Sequence, residues 1–208
     1  MADDGSVKGV RERQRDATRA AVLDAALHLF AERGFEGTAI RDVAARADVN
    51  HAMIQYYFKT KERLWREAVD FLFARITQQV TFSDVDAFPS KRAFAEHAIR
   101  RYVRYCARHP EHARLMIQES IRDGERLDWA AKRYIVHSKR AAEQFIVMMQ
   151  NENLMPQGSV AALTYILVGA SQLFYALAPE VRRVWGVDPT DEAQIEAHAD
   201  AVVAVMLR

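Results

Sequence analysis

The residues best equipped for chemistry stand between Thr38 and Lys61. Asn50 is a residue type that caps helix N-termini, and Ile54 and Phe58 follow it at the i, i+4 spacing of one buried helix face. With those two inward, His51, Ala52 and Met53 face outward at the start of the helix, flanked by Gln55 and Tyr56. An imidazole can donate or accept at a base edge. Ala52 and Met53 can meet a thymine methyl, and the small Ala52 allows close approach. Tyr56, Tyr57 and Lys61 can bond phosphate, which fixes register without reading sequence. Thr38, at the start of a preceding helix, can offer its backbone amide to a further phosphate. Taken together, these groups suit recognition of duplex DNA.

Other chemistry is weaker. Cys106 with His97 or His109 invites a nucleophile reading, but on a helix the thiol shares an apolar stripe with Tyr102, where it acts as a small hydrophobe. There is no Gly-rich phosphate loop, and the seven histidines never pair at i, i+4 around a carboxylate. No catalytic residue, metal site or cofactor is expected, and the chain does not read as an enzyme. Polar groups on otherwise apolar faces are candidates for holding a small molecule: Tyr102, Cys106, His137, Tyr165 and Gln172. His137 alone also fits a hydrogen-bonded core residue.

The elements that must position these groups are helical. Gly (8) and Pro (5) are scarce and fall between periodic apolar stretches, and no segment shows sustained period-2 alternation. Residues 1–14 read as a flexible basic arm, the positive charge lying from Lys8 to Arg19, where Lys8, Arg11, Arg13, Arg15 and Arg19 outnumber Glu12 and Asp16. A first helix from about Arg15 to Arg33 buries Val22, Ala25, Ala26, Leu29 and Phe30, and Gly34 ends it with a residue able to adopt positive φ. Thr38 is a plausible cap for a short second helix carrying Ile40, Val43, Ala44 and Ala47. The helix capped by Asn50 comes third, and a fourth runs from about Thr60 to Gln79. The pieces of a helix-turn-helix over 39–58 appear in order: small Ala44 at the crossing, Asp48 in the turn, Val49 as the apolar plug, Asn50 as the cap.

A looser stretch, Thr81 to Pro89, separates this DNA-reading unit (15–76) from a larger helical body (77–208). In the body Ser90 caps a helix ending at Pro110, and a short helix covers Glu111–Ile121. A long helix follows over about Leu127–Asn151, then an uncharged one over Val160–Ala178. Asp188 and Pro189 read as cap and first position of the last helix, which carries Ile195, Ala199, Val202, Val203 and Met206. The expected fold is all-α, with about nine helices.

The run Ala-x-Val-x-x-x-x-Ile-x-Tyr-Tyr-Phe-x-x-Lys-Glu-x-Leu, with Gly34, Phe35 and Thr38 before it, resembles the TetR family of one-component regulators. The likeness is strong over about Arg15–Ala74 and weaker in the body, around His109, Pro110 and Glu111. It implies base contacts from Arg41, His51, Ala52 and Met53 and phosphate contacts from Thr38, Gln55, Tyr57 and Lys61. It also implies a body that binds a small-molecule effector and a homodimer formed by the last two helices. Two positions depart from the family pattern. Asp48 replaces the usual turn Gly, which its tolerance of left-handed backbone makes mild. Gln55 replaces the usual Tyr and leaves that phosphate role open. A repressor released from a palindromic operator is the implied function. An activator of the same family, or a helical ligand-binding protein or enzyme with a merely structural hairpin, are the alternatives.

Composition agrees without deciding. The chain has 208 residues, 50% hydrophobic and 27% charged, with a net charge of +1, so DNA binding must rest on local rather than global positive charge. One cysteine excludes an internal disulfide framework. The polar, acidic start shows no signal-peptide pattern, and the reading is a cytoplasmic protein without a membrane partner. The uncharged Val160–Ala178 run approaches the ~20 residues of a membrane span. Thr164, Ser171, Gln172 and the lack of a basic flank favour instead a helix buried on all sides, inside the protein or at a subunit interface.

Overall fold

The computed structural model describes residues 4–80 and 84–208, with side chains from residue 12 onward. Among the described residues there are helices and no strands. They are α1 (Asp4–Gly37), α2 (Ile40–Arg46), α3 (His51–Phe58), α4 (Lys61–Val80), α5 (Lys91–Arg108), α6 (Pro110–Arg122), α7 (Glu125–Ala130), α8 (Val136–Asn151), α9 (Val160–Ala176), α10 (Ala178–Trp185) and α11 (Glu192–Met206). A π turn, Ala131–Ile135, carries α7 into α8, and a 3-10 turn, Val85–Ala87, precedes α5. The chain divides into two compact units between Ala74 and Arg75. That division lies inside α4, not in the looser stretch after it. The apolar spacing of Leu64, Val69, Leu72, Ile76 and Val80 carries the helix through the boundary without a breaker.

In the first unit Val22, Ala26 and Phe30 of α1, Val43 of α2, Ile54 and Phe58 of α3, and Trp65, Val69 and Leu72 of α4 form the core. At Gly34 the backbone takes φ 72°, a conformation open to glycine, and α1 bends there before α2 begins. Arg19 ties α1 to α4 through Glu67 at 2.5 Å, which also takes Arg63 at 2.7 Å. The helix begins at Asp4, so residues 4–14 are helical rather than a flexible arm; residues 1–3 lie outside the described part. Stretch 5–14 has no proline, and Arg11, Glu12, Arg13 and Gln14 are good helix formers that lead into the apolar part of the helix.

The second unit packs α5, α8, α9 and α11 around Phe94, Ile99, Val103, Phe145, Ile146, Met149, Tyr175 and Val202. Ser90 caps α5 as expected, accepting from the Ala93 amide at 3.1 Å. Arg104 pairs with both oxygens of Glu196 at 2.6 Å, joining α5 to α11. Arg114 donates to the carbonyls of Ala176 and Tyr175 and so satisfies the end of α9.

Three expectations change here. The long apolar run breaks at Leu177, and Pro179 opens a separate helix, α10, which suits proline in a first turn. Asp188 does not cap the last helix: its carboxylate takes Thr190 and Arg182 in a local turn, and Asp191 stands at the N-cap of α11. Within one copy α9 is not buried on all sides, since Tyr165 (73%), Ile166 and Leu173 are exposed, so of the two expected settings the protein interior does not hold for that face. Among the described residues no single helix is long and apolar enough to cross a membrane. The α9–α10 pair reaches that length only with a bend of 71°.

Candidate nucleic-acid interface and ligand cavity

The turn between α2 and α3 is built by backbone hydrogen bonds. The Val49 amide donates to the Ala44 carbonyl at 3.0 Å and the Asp48 amide to that of Ala45 at 3.3 Å. This is the paired closure of a Schellman motif, and it requires a left-handed residue where Asp48 sits with φ 52°. An aspartate tolerates that conformation better than most side chains, so the departure from glycine leaves the turn intact. Asn50 then caps α3, its side chain accepting from the Ala52 amide at 2.8 Å.

The cap and the buried Ile54 and Phe58 orient the rest of α3. His51, Ala52, Gln55 and Tyr56 are exposed, and Met53 and Tyr57 are half-buried. Tyr56, at 78% exposure, packs edge-on against Tyr57. Arg41 is exposed on α2. Lys61 lies over the Phe35 ring at 4.6 Å and donates to the Glu36 carbonyl at 3.3 Å, which fixes its ammonium beside the end of α1.

Two expected phosphate ligands are otherwise engaged. Thr38 is buried. Its hydroxyl donates to the carbonyls of Gly34 and Leu29, and its amide donates to Phe35, so it stitches the end of α1 and does not face solvent. Ala39, not Thr38, is the N-cap of α2. Gln55 donates its side-chain amide to the Lys59 carbonyl at 2.8 Å and closes the C-terminal end of α3.

In the second unit a cavity of about 470 Å³ opens among α4, α5, α8 and α9. Its walls are mostly apolar, with Ile76 and Val80 from α4, Ile99 from α5, Phe145 from α8 and Leu167 from α9. Tyr102 and His137, both expected at a ligand site, line it. Gln172 stands behind, donating to the Tyr102 hydroxyl at 2.8 Å. Cys106 is in the core one helical turn beyond Tyr102 and is 4% exposed. Burial pushes its thiol up, the opposite of what a nucleophile needs. Tyr165 points away, on the outer face of α9, and is no part of the cavity. The sequence reading missed Thr77, Ser138 and Thr164, which add hydroxyls to the wall. Thr77 beside Ile76, and Thr164 one turn before Leu167 and Val168, were the available signal.

A polar cluster, also unforeseen, holds the last turns of α4. Arg75 pairs with the buried Glu111 of α6, and at the surface Gln79 meets His109 at 3.2 Å. Beside them the Tyr105 hydroxyl and His112 Nδ1 are 2.8 Å apart. Burial, above all, lowers the His112 imidazole to about 4.

A short helix, a left-handed turn and a capped helix with an outward-facing start define a helix-turn-helix domain. The profile of the bacterial regulatory proteins, tetR family, matches residues 22–68. The chain is 33% identical over 120 residues to the HTH-type transcriptional repressor NicS of Pseudomonas putida, covering 56% of this chain and 54% of that protein. The chain thus spans about half the length of NicS. It is 26% identical to the HTH-type transcriptional regulator RutR of Escherichia coli over 98% of this chain and 96% of that one. The structure of AibR in complex with isovaleryl coenzyme A and operator DNA shares the fold, with a TM-score of 0.70 at 18% identity over 91% of this chain and 97% of AibR. Residues 22–68 thus carry the DNA-binding region of the bacterial regulatory proteins, tetR family, and the chain resembles these regulators.

Proposed function

We propose that the chain is a transcriptional repressor that reads a palindromic operator as a homodimer and is released by a small-molecule effector. The observation that carries this is the outward start of α3, with His51 and Ala52 exposed on a helix fixed by Asn50 and by the Schellman turn. His51, Ala52, Met53 and Arg41 read bases; Tyr56, Tyr57 and Lys61 hold phosphate. The repressor named among the relatives, NicS, and the operator DNA and coenzyme A ester in the AibR complex support the same reading. With operator DNA as partner, the protein works in the cytoplasm.

The effector occupies the cavity and presses on Ile76, Thr77 and Val80, the last turns of α4. A shift of α4 changes the separation of two recognition helices in a dimer. Half-sites lie about 34–36 Å apart, so a modest change prevents both from docking.

Footprinting on the DNA flanking the gene tests the reading. A palindromic footprint with affinity falling steeply with salt is expected. His51→Ala is expected to lower operator affinity about tenfold and relax preference at one base pair, and Tyr56→Phe to weaken all sequences alike. Equal binding to every sequence, or variants that change neither property, would sink it.

A further inference from the structure

From the walls of the cavity we infer that its ligand is an electrically neutral, largely apolar molecule carrying one hydrogen-bonding oxygen, which meets Tyr102. This rests on the effector-site reading above and names the class of molecule. Among the described lining residues there is no lysine, arginine, aspartate or glutamate. A carboxylate, phosphate or ammonium drawn inside would lose its hydration with no opposite charge to replace it, and groups of that kind enter protein interiors paired. The volume, about 470 Å³, falls in the range of pockets that enclose small organic ligands.

Of the hydroxyls on the wall, that of Thr164 donates to the Val160 carbonyl at 2.8 Å, and Thr77 and Ser138 are exposed residues, which leaves the Tyr102 phenol as the inner polar group. Gln172 donates to the Tyr102 hydroxyl at 2.8 Å and occupies one of its lone pairs, so the phenolic proton is turned elsewhere. The other group interacting with that hydroxyl is the Cys106 thiol. Sulfur is a weak acceptor, and a ligand carbonyl or hydroxyl oxygen at the wall displaces it with gain. Burial, the largest cause, pushes the phenol well above its ordinary range, so it remains a proton donor at any physiological pH. His137 and Ser138 are exposed and sit at the solvent side, where charge is screened. Tyr102 is therefore the recognition residue, and Gln172 is its positioning residue.

The test measures calorimetric affinities of the full chain for four matched probes at neutral pH: octanol, nonane, octanoate and octylammonium. Octanol is expected to bind at least tenfold more tightly than either ion. Tyr102→Phe should weaken octanol about fivefold, the worth of one hydrogen bond, and leave nonane unchanged. Gln172→Leu keeps the phenol but frees its orientation, and should reduce the preference for octanol over nonane without abolishing it. A general packing defect would weaken both probes together. If an ion binds more tightly than octanol, if Tyr102→Phe spares the octanol preference, or if no probe binds, the ligand class is overturned. Operator affinity measured with saturating octanol separates the two levels. Selective octanol binding that leaves operator affinity untouched keeps the ligand class and overturns the effector role. An ion that binds and releases the operator does the reverse.

Discussion

His112 shows how a single side chain can set a pH limit on the protein. It is buried beside Tyr105, and burial holds its imidazole at about 4, below the ~6.5 of an exposed histidine. The unfolded chain therefore takes up a proton first as pH falls. Stability contributed by the neutral ring is complete above about 6.5 and is lost progressively down to about 4, an effect on the order of 3 kcal/mol at most. Urea unfolding at several pH values should show this slope in the wild type and a flatter one in His112→Gln; parallel slopes would refute the assignment. At this scale the sequence was informative wherever a residue answers to its neighbours in the chain. Asp48 in a left-handed turn and Asn50 as a cap were readable for that reason. Thr38 and Gln55 were misplaced because their hydrogen-bond partners, Leu29, Gly34 and Lys59, depend on how a helix ends. Tyr165 was misplaced because a polar tip on an apolar helix says nothing about which side faces the core.

The decisive contact between elements is the one from α4 to α6. The Arg75 and Glu111 side chains are 13% and 3% exposed, so the two charges meet away from bulk water. Arg75→Met takes the guanidinium from a buried carboxylate that keeps His109 at 3.3 Å, and is expected to destabilise the second unit by at most about 3–5 kcal/mol. Arg75→Met combined with Glu111→Leu should recover most of that loss, because apolar residues of similar volume can replace a buried pair. Chemical denaturation of the two variants side by side checks it, and a double variant no better than the single one would show that the pair does more than neutralise itself. In the first unit the bend after α1 and the start of α3 were legible because Gly34 and Asn50 coincide with the apolar period, whereas the start of α1 and the cap of α2 were not. In the second unit α10 was hidden: no charge marks the end of α9, and Pro179 reads as a terminator when it is an initiator. The polar cluster was hidden too, since charged residues on a helix are by default solvated.

For the molecule as a whole, the face left uncovered is the informative one. Tyr165, Ile166 and Leu173 on α9, Val184 and Trp185 on α10, and Val205 on α11 are exposed large hydrophobics. Ala197, Ala201 and Ala204 of α11 add small exposed positions that let helices approach closely. This is the surface through which we propose that two copies pair. Ile166→Glu should convert a dimer to a monomer in sedimentation equilibrium and weaken operator binding at least tenfold, with helicity unchanged; a variant that remains dimeric would move the interface elsewhere. The all-helical class followed from the spacing of apolar residues, and the uncharged run signalled something unusual. Whether it was core or contact surface could not be read there, because both are built from the same residues. The two surfaces also answer oppositely to their medium. On this proposal, contacts of α3 with phosphate would weaken as any salt is added, whereas burial of the α9 face would strengthen in sulfate. Near the concentration at which copies begin to pair, the choice of anion would therefore tune repression in a direction that depends on whether pairing or docking is limiting.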